Sequence, residues 1–308
     1  MCIFSNPILN VFATKIFGRL TDKGTQFIVY KMSYESEVPN AMILPLPTAL
    51  DAGEDGVRFI DLKEYGEFFS DLAKAFPFRP TGGIGCSASN IKAASDSLVV
   101  HEVGDYVASF VPTLDDFERL DPQFAIPRKT WDKIPTYSDY GFVVFQLKKL
   151  IADSHPMAFE FETRLDEIFF PTVHIHDGEV HSEEEFEHLL VAQHAGLDSV
   201  AGAYINADVV DKRTGFVRSK EPAKRFSNIA KSKGILQADL LLHQKELHGR
   251  HKNEDMVFQI AGNPLVPSFN WRKFIWVAPW VFGLGAVAWF FNRRGKIRRE
   301  KQLTSGDE

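Results

Sequence analysis

Cysteine is scarce in this chain, with only two residues, Cys2 and Cys86, among 308. So few cysteines exclude a disulfide-stabilised scaffold and a metal site of the Cys-x-x-Cys type. Low-complexity segments are absent too, and the 44% hydrophobic and 25% charged residues are typical of a globular protein with a buried core. The composition therefore excludes a disordered or fibrous protein.

No basic stripe interrupts residues 1–271, which carry a net charge of about −11, because the remaining residues contribute +5 to a total of −6. An acidic domain repels the phosphate backbone, so we expect no nucleic-acid binding. The glycine-rich segment 82–87 lacks the Lys-Ser/Thr pair of a phosphate-binding P-loop. The sequence therefore offers no nucleotide or nucleic-acid site.

A stretch of 18 residues without a charge, 274–291, reads FIWVAPWVFGLGAVAWFF. As a helix it would measure about 27 Å, close to the thickness of a bilayer core. Arg272 and Lys273 precede it, and six basic residues follow in 292–308. The pattern predicts a single-pass transmembrane helix as a C-terminal anchor, with the membrane as the first partner.

The sequence predicts a membrane localisation with the domain facing the cytoplasm. Residues 1–20 contain no signal-like apolar run, which favours a tail anchor inserted after synthesis. The basic flank 292–308 favours the opposite orientation, because positive segments tend to stay in the cytoplasm. This orientation would place the domain on the extracytoplasmic side. Small or compact residues spaced four apart in the span, Pro279, Gly283 and Val287, indicate a protein partner or a homo-oligomer.

The predicted fold class is α+β, mainly antiparallel sheet with a few helices, plus the C-terminal transmembrane helix. Helices and strands do not alternate regularly, which disfavours a parallel doubly wound sheet. Period-two patterns and turn residues predict strands over 11–20, 25–36, 40–47, 98–103, 105–111, 141–147, 157–163, 167–176, 240–247 and 256–260. Helical spacing and capping signals predict helices over 62–76, 113–120 and 222–232, and a further one after Ser182, where Glu185 completes a capping box before Phe186 and Leu189.

The predicted domain organisation has four parts: an acidic α+β domain over residues 1–262, a stalk over 263–273, the span 274–291 and the basic tail 292–308. A subdivision near residue 150 is an alternative for the first part, although no linker-like composition marks it.

The early Cys2, the strand FIVYKMSYES and the run NAMILPLP resemble an uncharacterised bacterial family, a domain of unknown function found in exported proteins. Members of that family similarly have a Tyr-containing strand, an apolar run that closes on Leu-Pro-x-Pro, and an apolar C-terminal helix with a basic tail. The resemblance covers residues 1–50 and the C-terminal helix, and it implies no catalytic residue.

Cys2 is the candidate nucleophile. Removal of Met1 would leave the thiol beside an α-amine with a pKa of about 8, which can act as its general base. Choloylglycine-type hydrolases are similar here, with a Met-Cys start and a Phe-Gly-Arg-Asn-x-Asp element that residues 17–22 match except at Leu20. The resemblance implies an amide hydrolase with Cys2, Arg19 and Asp22 as catalytic residues. The alternative is that Cys2 is a small apolar residue of an edge strand.

Nine of the ten histidines lie between residues 155 and 251. His174 and His176 lie two apart, so on a strand they share a face, and the Asp177-Gly178 turn could bring His181 back towards them. Imidazoles with a carboxylate are the ligand set of zinc and other transition metals, so these three histidines are the predicted metal ligands. The alternative is a solvated hairpin in which the histidines hydrogen-bond to acids.

No complete catalytic constellation can be assembled from these residues. The sequence therefore favours a membrane-anchored, non-enzymatic interaction module, scaffold or accessory subunit, with metal binding through the histidine-rich strand. The N-terminal-cysteine amide hydrolase is the alternative function.

Overall fold

The computed structural model describes residues 3–76, 101–103, 106–147, 149–153, 155–201 and 210–260. The chain forms two compact units, Met1–Ala261 and Gly262–Glu308. The second unit, which includes the predicted stalk, span and tail, lies outside the described residues. All elements named below belong to the first unit.

Short strands make up most of the described elements, and the helices are a turn or two long. The strands are β1 Ile3–Phe4, β2 Asn10–Leu20, β3 Thr25–Glu35, β4 Asn40–Leu46, β5 Val57–Asp61, β6 His101–Val103, β7 Tyr106–Val111, β8 Gly141–Leu147, β9 Ile151–Asp153, β10 Met157–Glu162, β11 Ile168–Phe170, β12 Glu183–Gln193, β13 Val217–Arg218, β14 His243–Lys252 and β15 Met256–Phe258. The α-helices are α1 Phe68–Ala73, α2 Arg128–Trp131 and α3 Ala195–Ala201, and 3-10 turns lie at Lys63–Tyr65, Asp115–Arg119, Pro122–Phe124, Pro135–Tyr137 and Ala223–Arg225.

The larger sheet has the strand order β13-β14-β12-β2-β3-β10-β5, and β9 pairs with the end of β3. A tight turn joins β2 to β3, in which Gly24 takes a φ of 76°, a conformation that glycine adopts at little cost. All pairs in this sheet are antiparallel except β12 with β2, where residues 188–193 run parallel to residues 14–19. This parallel ladder joins two distant parts of the chain.

The smaller sheet has the order β1-β4-β8-β7-β6 and is antiparallel throughout, and β11 and β15 form a separate pair. One core cluster contains side chains of both sheets, among them Tyr30 of β3 and Leu44 of β4. Neighbouring residues on the same strands belong to other clusters: Val29 packs with α1, and Ile43 packs with Trp131. Strands buried on both faces explain the long apolar runs of β3 and β4.

The predicted α+β class is wrong, because 42% of the described residues are in strands and only 15% in helices. The largest error is the capping box at Ser182, since the residues after it form strand β12. There Phe186, His188 and Leu190 alternate with more exposed residues, and this period of two outweighs the helical signal. The region predicted as helix 222–232 holds only the 3-10 turn Ala223–Arg225.

The predicted membrane localisation is also corrected. Within the described residues no helix is both long and apolar enough to cross a bilayer. The longest α-helix there, α3, has seven residues, about 10 Å of rise against a bilayer core of about 30 Å. The predicted span 274–291 lies outside the described residues.

Candidate functional site

A segment that follows β11, residues 171–176, leaves its sheet and is clamped by two polar side chains from the turn between β14 and β15. The His174 N–H donates to Asn253 Oδ1 at 2.7 Å, and Asn253 Nδ2 donates to the His174 carbonyl at 2.9 Å. Asp255 accepts from the Thr172 N–H at 2.8 Å and the Val173 N–H at 3.2 Å. These bonds fix the backbone that carries the first two candidate histidines.

Asp255 is a partly buried acid that accepts hydrogen bonds from three donors. Besides the two backbone N–H groups, Tyr137 donates its hydroxyl to Asp255 Oδ2 at 2.7 Å. Burial raises the pKa of Asp255 to about 6, although these hydrogen bonds favour its charged form. Two of these donors are backbone N–H groups of the clamped segment. We therefore interpret Asp255 as a group that positions this segment.

The clamped segment places two imidazoles against a third on β12, and we call His174, His176 and His188 the histidine cluster. The ring centroid of His174 lies 5.1 Å from that of His176 and 5.2 Å from that of His188. On its other side the His174 ring stacks on Phe186 at 4.3 Å. His174 and His188 are fully buried, and His176 is partly buried.

Five ring nitrogens of the cluster have no hydrogen-bond partner in the described residues: both of His174, both of His188 and Nε2 of His176. Thr14 Oγ1, which is buried as well, has none either. A buried polar group without a partner costs about 1–3 kcal/mol relative to one that is hydrogen-bonded. Such a concentration of unsatisfied groups is rare in a core, so the histidine cluster is a candidate functional site.

Burial keeps the imidazoles of the clamped segment neutral. It lowers the pKa of His176 to about 4 and that of His174 still further, and the positive α-amino group of the chain acts in the same direction. The nearby Asp177 raises the pKa of His176, but less than burial lowers it. At neutral pH His174 and His176 are therefore two uncharged, stacked rings.

The histidine cluster lies where β2 and β12 part. Thr14 and His188 are the first pair of their parallel ladder, and before them β2 departs from regular geometry at Ala13, whose φ is 54°. The residues around Ala13 also shift register against β3. Just before β2, the Ile8 N–H donates to the His176 carbonyl at 3.0 Å. The chain that leads into β2 therefore lies beside the clamped segment, whereas β2 itself pairs with β12 from Thr14 onwards.

The metal prediction is wrong for the residues on which it rested. His181 does not join His174 and His176: it is exposed and bonded to Asp177 Oδ2 at 2.9 Å. Across the described ranges no group of three or more His, Cys, Asp or Glu side chains is arranged to hold a metal ion. The reason is the stacking of His174 on His176, with ring planes 16° apart, because stacked rings do not direct their nitrogen lone pairs to a common point.

Two of the three predicted catalytic residues, Arg19 and Asp22, lie within the described residues. Arg19 is buried, donates to the Ile235 carbonyl at 2.6 Å and the Gly234 carbonyl at 2.7 Å, and lies over the Phe27 ring. Asp22 is exposed in the turn that follows β2. Cys2 lies outside the described residues, so the hydrolase hypothesis stays a prediction. The contacts of Arg19 favour a structural role for that residue.

A second histidine contact joins α3 to β14. His243 Nε2 and Asp198 Oδ1 are 2.8 Å apart, and Asp198 Oδ2 accepts from the Leu241 N–H at 2.9 Å. The His243 side chain is only 4% exposed, so it offers no surface to a substrate. We interpret this pair as a buried anchor for α3.

A surface feature lies beside the histidine cluster. Among the described residues seven large hydrophobic side chains are exposed, and four of them gather at the end of the larger sheet where β2 begins and β3 ends. We call these four the apolar patch: Leu9, Phe12, Val38 and Leu150, each 44–53% exposed.

Backbone contacts bring the members of the apolar patch together. The Leu9 N–H donates to the Glu35 carbonyl at 3.0 Å, and the Ser36 N–H donates to the Leu150 carbonyl at 2.7 Å. Phe12 lies opposite Ser33 in the β2–β3 ladder, and the Ser36 hydroxyl donates to the Val38 carbonyl. All four residues therefore lie around the C-terminal end of β3, although the first three come from residues 9–38 and the last is Leu150.

No family model matches this chain, so the resemblance to an uncharacterised bacterial family stays a prediction. Solved structures of baculovirus P35 are similar to this chain at low identity. The crystal structure of baculovirus P35 is 14% identical with a TM-score of 0.41, covering 81% of this chain and 96% of that one. P35 in the crystal structure of the caspase-8/P35 complex is 11% identical with a TM-score of 0.40, covering 80% of this chain and 94% of that one. TM-scores at this level do not establish a common fold.

Proposed function

We propose that the first unit of this chain is a non-enzymatic interaction module that binds a basic protein partner through the apolar patch. The proposal rests on the gathering of Leu9, Phe12, Val38 and Leu150 at one end of a sheet. Scattered exposed apolar residues need no explanation, but a contiguous group of them is typical of a protein-binding surface.

The charge of the unit selects the partner. Residues 1–261 carry the same net charge of about −11 as residues 1–271, because residues 262–271 contain no charged side chain. A field of this sign attracts a basic protein and opposes a second copy of the same unit. The partner is therefore expected to present apolar side chains flanked by Lys or Arg.

Binding can be tested with two fluorescein-labelled peptides of equal length and hydropathy, one built from Leu and Lys and one from Leu and Glu. Fluorescence anisotropy with the full chain should show saturable binding of the Leu/Lys peptide only. Burying the exposed half of Phe12 contributes about 1–1.5 kcal/mol, so Phe12→Ser should weaken binding about tenfold. Leu150→Ser should have a similar effect.

Leu50→Ser is the matched control, because Leu50 is 77% exposed but is not part of the apolar patch. It should leave the affinity unchanged. Equal losses in Phe12→Ser and Leu50→Ser would mean that the peptide binds without a defined surface, and the proposal would fail. It would also fail if the Leu/Glu peptide bound as tightly as the Leu/Lys peptide.

A further inference from the structure

Strand β2 connects the apolar patch to the neighbour of the histidine cluster. Phe12 belongs to the patch, Thr14 faces His188 of the cluster, and the irregular residue Ala13 lies between them. On the opposite side of the junction the Ile8 N–H bonds to the His176 carbonyl, one residue before Leu9 of the patch. Displacement of the clamped segment would therefore remove the backbone bond that holds Ile8, the residue before Leu9 of the patch.

A proton on this cluster would have little to neutralise it. Asp177 follows His176, but its carboxylate already binds His181 and the Glu179 N–H. The carboxyl of Asp255 holds the backbone of the clamped segment and the Tyr137 hydroxyl.

Two further groups face the cluster from the elements packed around it. On β12, Glu184 shares the face of Phe186, and on β14 the ring of His251 packs against the edge of Phe186. Protonation of more than one ring would also place like charges about 5 Å apart, as the centroid distances show.

We propose that the histidine cluster is a pH switch for the apolar patch: at acidic pH its buried imidazoles take up protons, the clamped segment leaves the junction of β2 and β12, and the bound partner is released. The inference rests on the proposed function, since it names the regulation of that same surface. Buried neutral histidines that become charged below neutral pH are a general means of biasing two packed states.

The test measures binding of the Leu/Lys peptide to the full chain at pH 7.5 and pH 5.0. We expect the dissociation constant to rise at least tenfold at pH 5.0. In the double variant His174→Phe/His188→Phe, whose rings pack but cannot be protonated, the affinity at pH 7.5 should be preserved and the change with pH should fall below threefold. His176→Phe, at a partly buried position, is the second variant if the double variant does not fold.

His248→Phe is the matched control, because His248 is exposed on β14 and outside the cluster. It should retain the full pH dependence of the wild type. An affinity that is the same at both pH values, or a pH dependence unchanged in the cluster variants, would overturn the switch. Neither result affects the proposed function, which is tested by the patch variants at pH 7.5.

A measurement without any partner separates the two proposals further. Amide hydrogen exchange, corrected for its intrinsic pH dependence, should show loss of protection at residues 8–14 and 172–176 between pH 7.5 and pH 5.0. Retained protection at pH 5.0 would overturn the switch whatever the peptide does. Loss of protection in a chain that binds no peptide at pH 7.5 would support the opening and refute the interaction module.

Discussion

Thr14 and His188 face each other as the first pair of the parallel ladder between β2 and β12, and neither side chain has a hydrogen-bond partner within the described residues. Two buried polar groups that lie so close and remain unsatisfied mark a junction that is less stable than the rest of the sheet. The clamped segment with His174 and His176 enters this junction. The stability of the unit should therefore depend on how that segment is held and on its charge.

We predict that acid destabilises the unit. The pKa of His176 is lowered to about 4 in the folded chain, whereas an unfolded histidine titrates near 6.5. Between these values the unfolded chain binds a proton that the folded chain does not, so stability is present above pH 6.5 and is lost as the pH falls. Each such histidine contributes a slope of about 1.4 kcal/mol per pH unit.

Asp255 opposes this loss below pH 6. Its pKa is raised to about 6, so the folded chain binds a proton there before the unfolded chain does. Below pH 6 the free energy of unfolding should therefore keep falling, but less steeply than the two histidines alone would make it fall. Urea unfolding midpoints at pH 7.5, 6.5, 6.0 and 5.0 measure this profile, which His174→Phe should flatten. Midpoints that rise towards acid would contradict the prediction.

Asn253→Ala should lower the free energy of unfolding by about 2 kcal/mol at pH 7.5. The side chain binds both backbone groups of His174 and also donates to the His181 carbonyl at 3.0 Å, so its removal leaves buried backbone groups without partners. Asn10→Ala is the control, since Asn10 makes an exposed hydrogen bond to Glu35, and its effect should stay below about 0.5 kcal/mol. Equal effects in the two variants would show that the clamp is not needed.

Arg19→Met should destabilise the unit by about 2 kcal/mol, because it leaves the Gly234 and Ile235 carbonyls without their donor. Arg58→Met is the control: Arg58 forms an exposed ion pair with Glu160, and such pairs contribute about 0–1 kcal/mol. Urea unfolding compares the two variants. If Arg19→Met unfolded at the wild-type midpoint, the structural role assigned to Arg19 would be wrong and the hydrolase hypothesis would gain.

The strands that the sequence predicts well are those whose pattern is local. Residues 25–36 and 141–147 were predicted from alternation and turn residues, and the structure has β3 and β8 within one residue of these bounds. His188 was missed because the capping box at Ser182 favours a helix, although Phe186, His188 and Leu190 already carry the period of two. The parallel pairing of β12 with β2 joins residues far apart in sequence, and no local pattern encodes such a contact. The histidine cluster depends on that pairing, so two of its members were predicted and its geometry was not.

Gly141→Ala should destabilise the unit more than its size suggests. A Cβ at Gly141, the first residue of β8, would lie 2.6 Å from two carbons of the Phe110 ring and 3.0 Å from the Thr48 hydroxyl oxygen. Phe110 is buried between the two sheets and cannot swing away, so the added methyl must shift a strand, at a cost of about 1–3 kcal/mol.

Gly66→Ala is the matched control, because a Cβ there meets nothing within 4 Å and the backbone already has a helical φ. That variant should be neutral or slightly stabilising, since alanine restricts the unfolded chain. Urea unfolding of the two variants should separate them by at least about 1 kcal/mol, and equal midpoints would show that Phe110 and the start of β8 can move apart without loss.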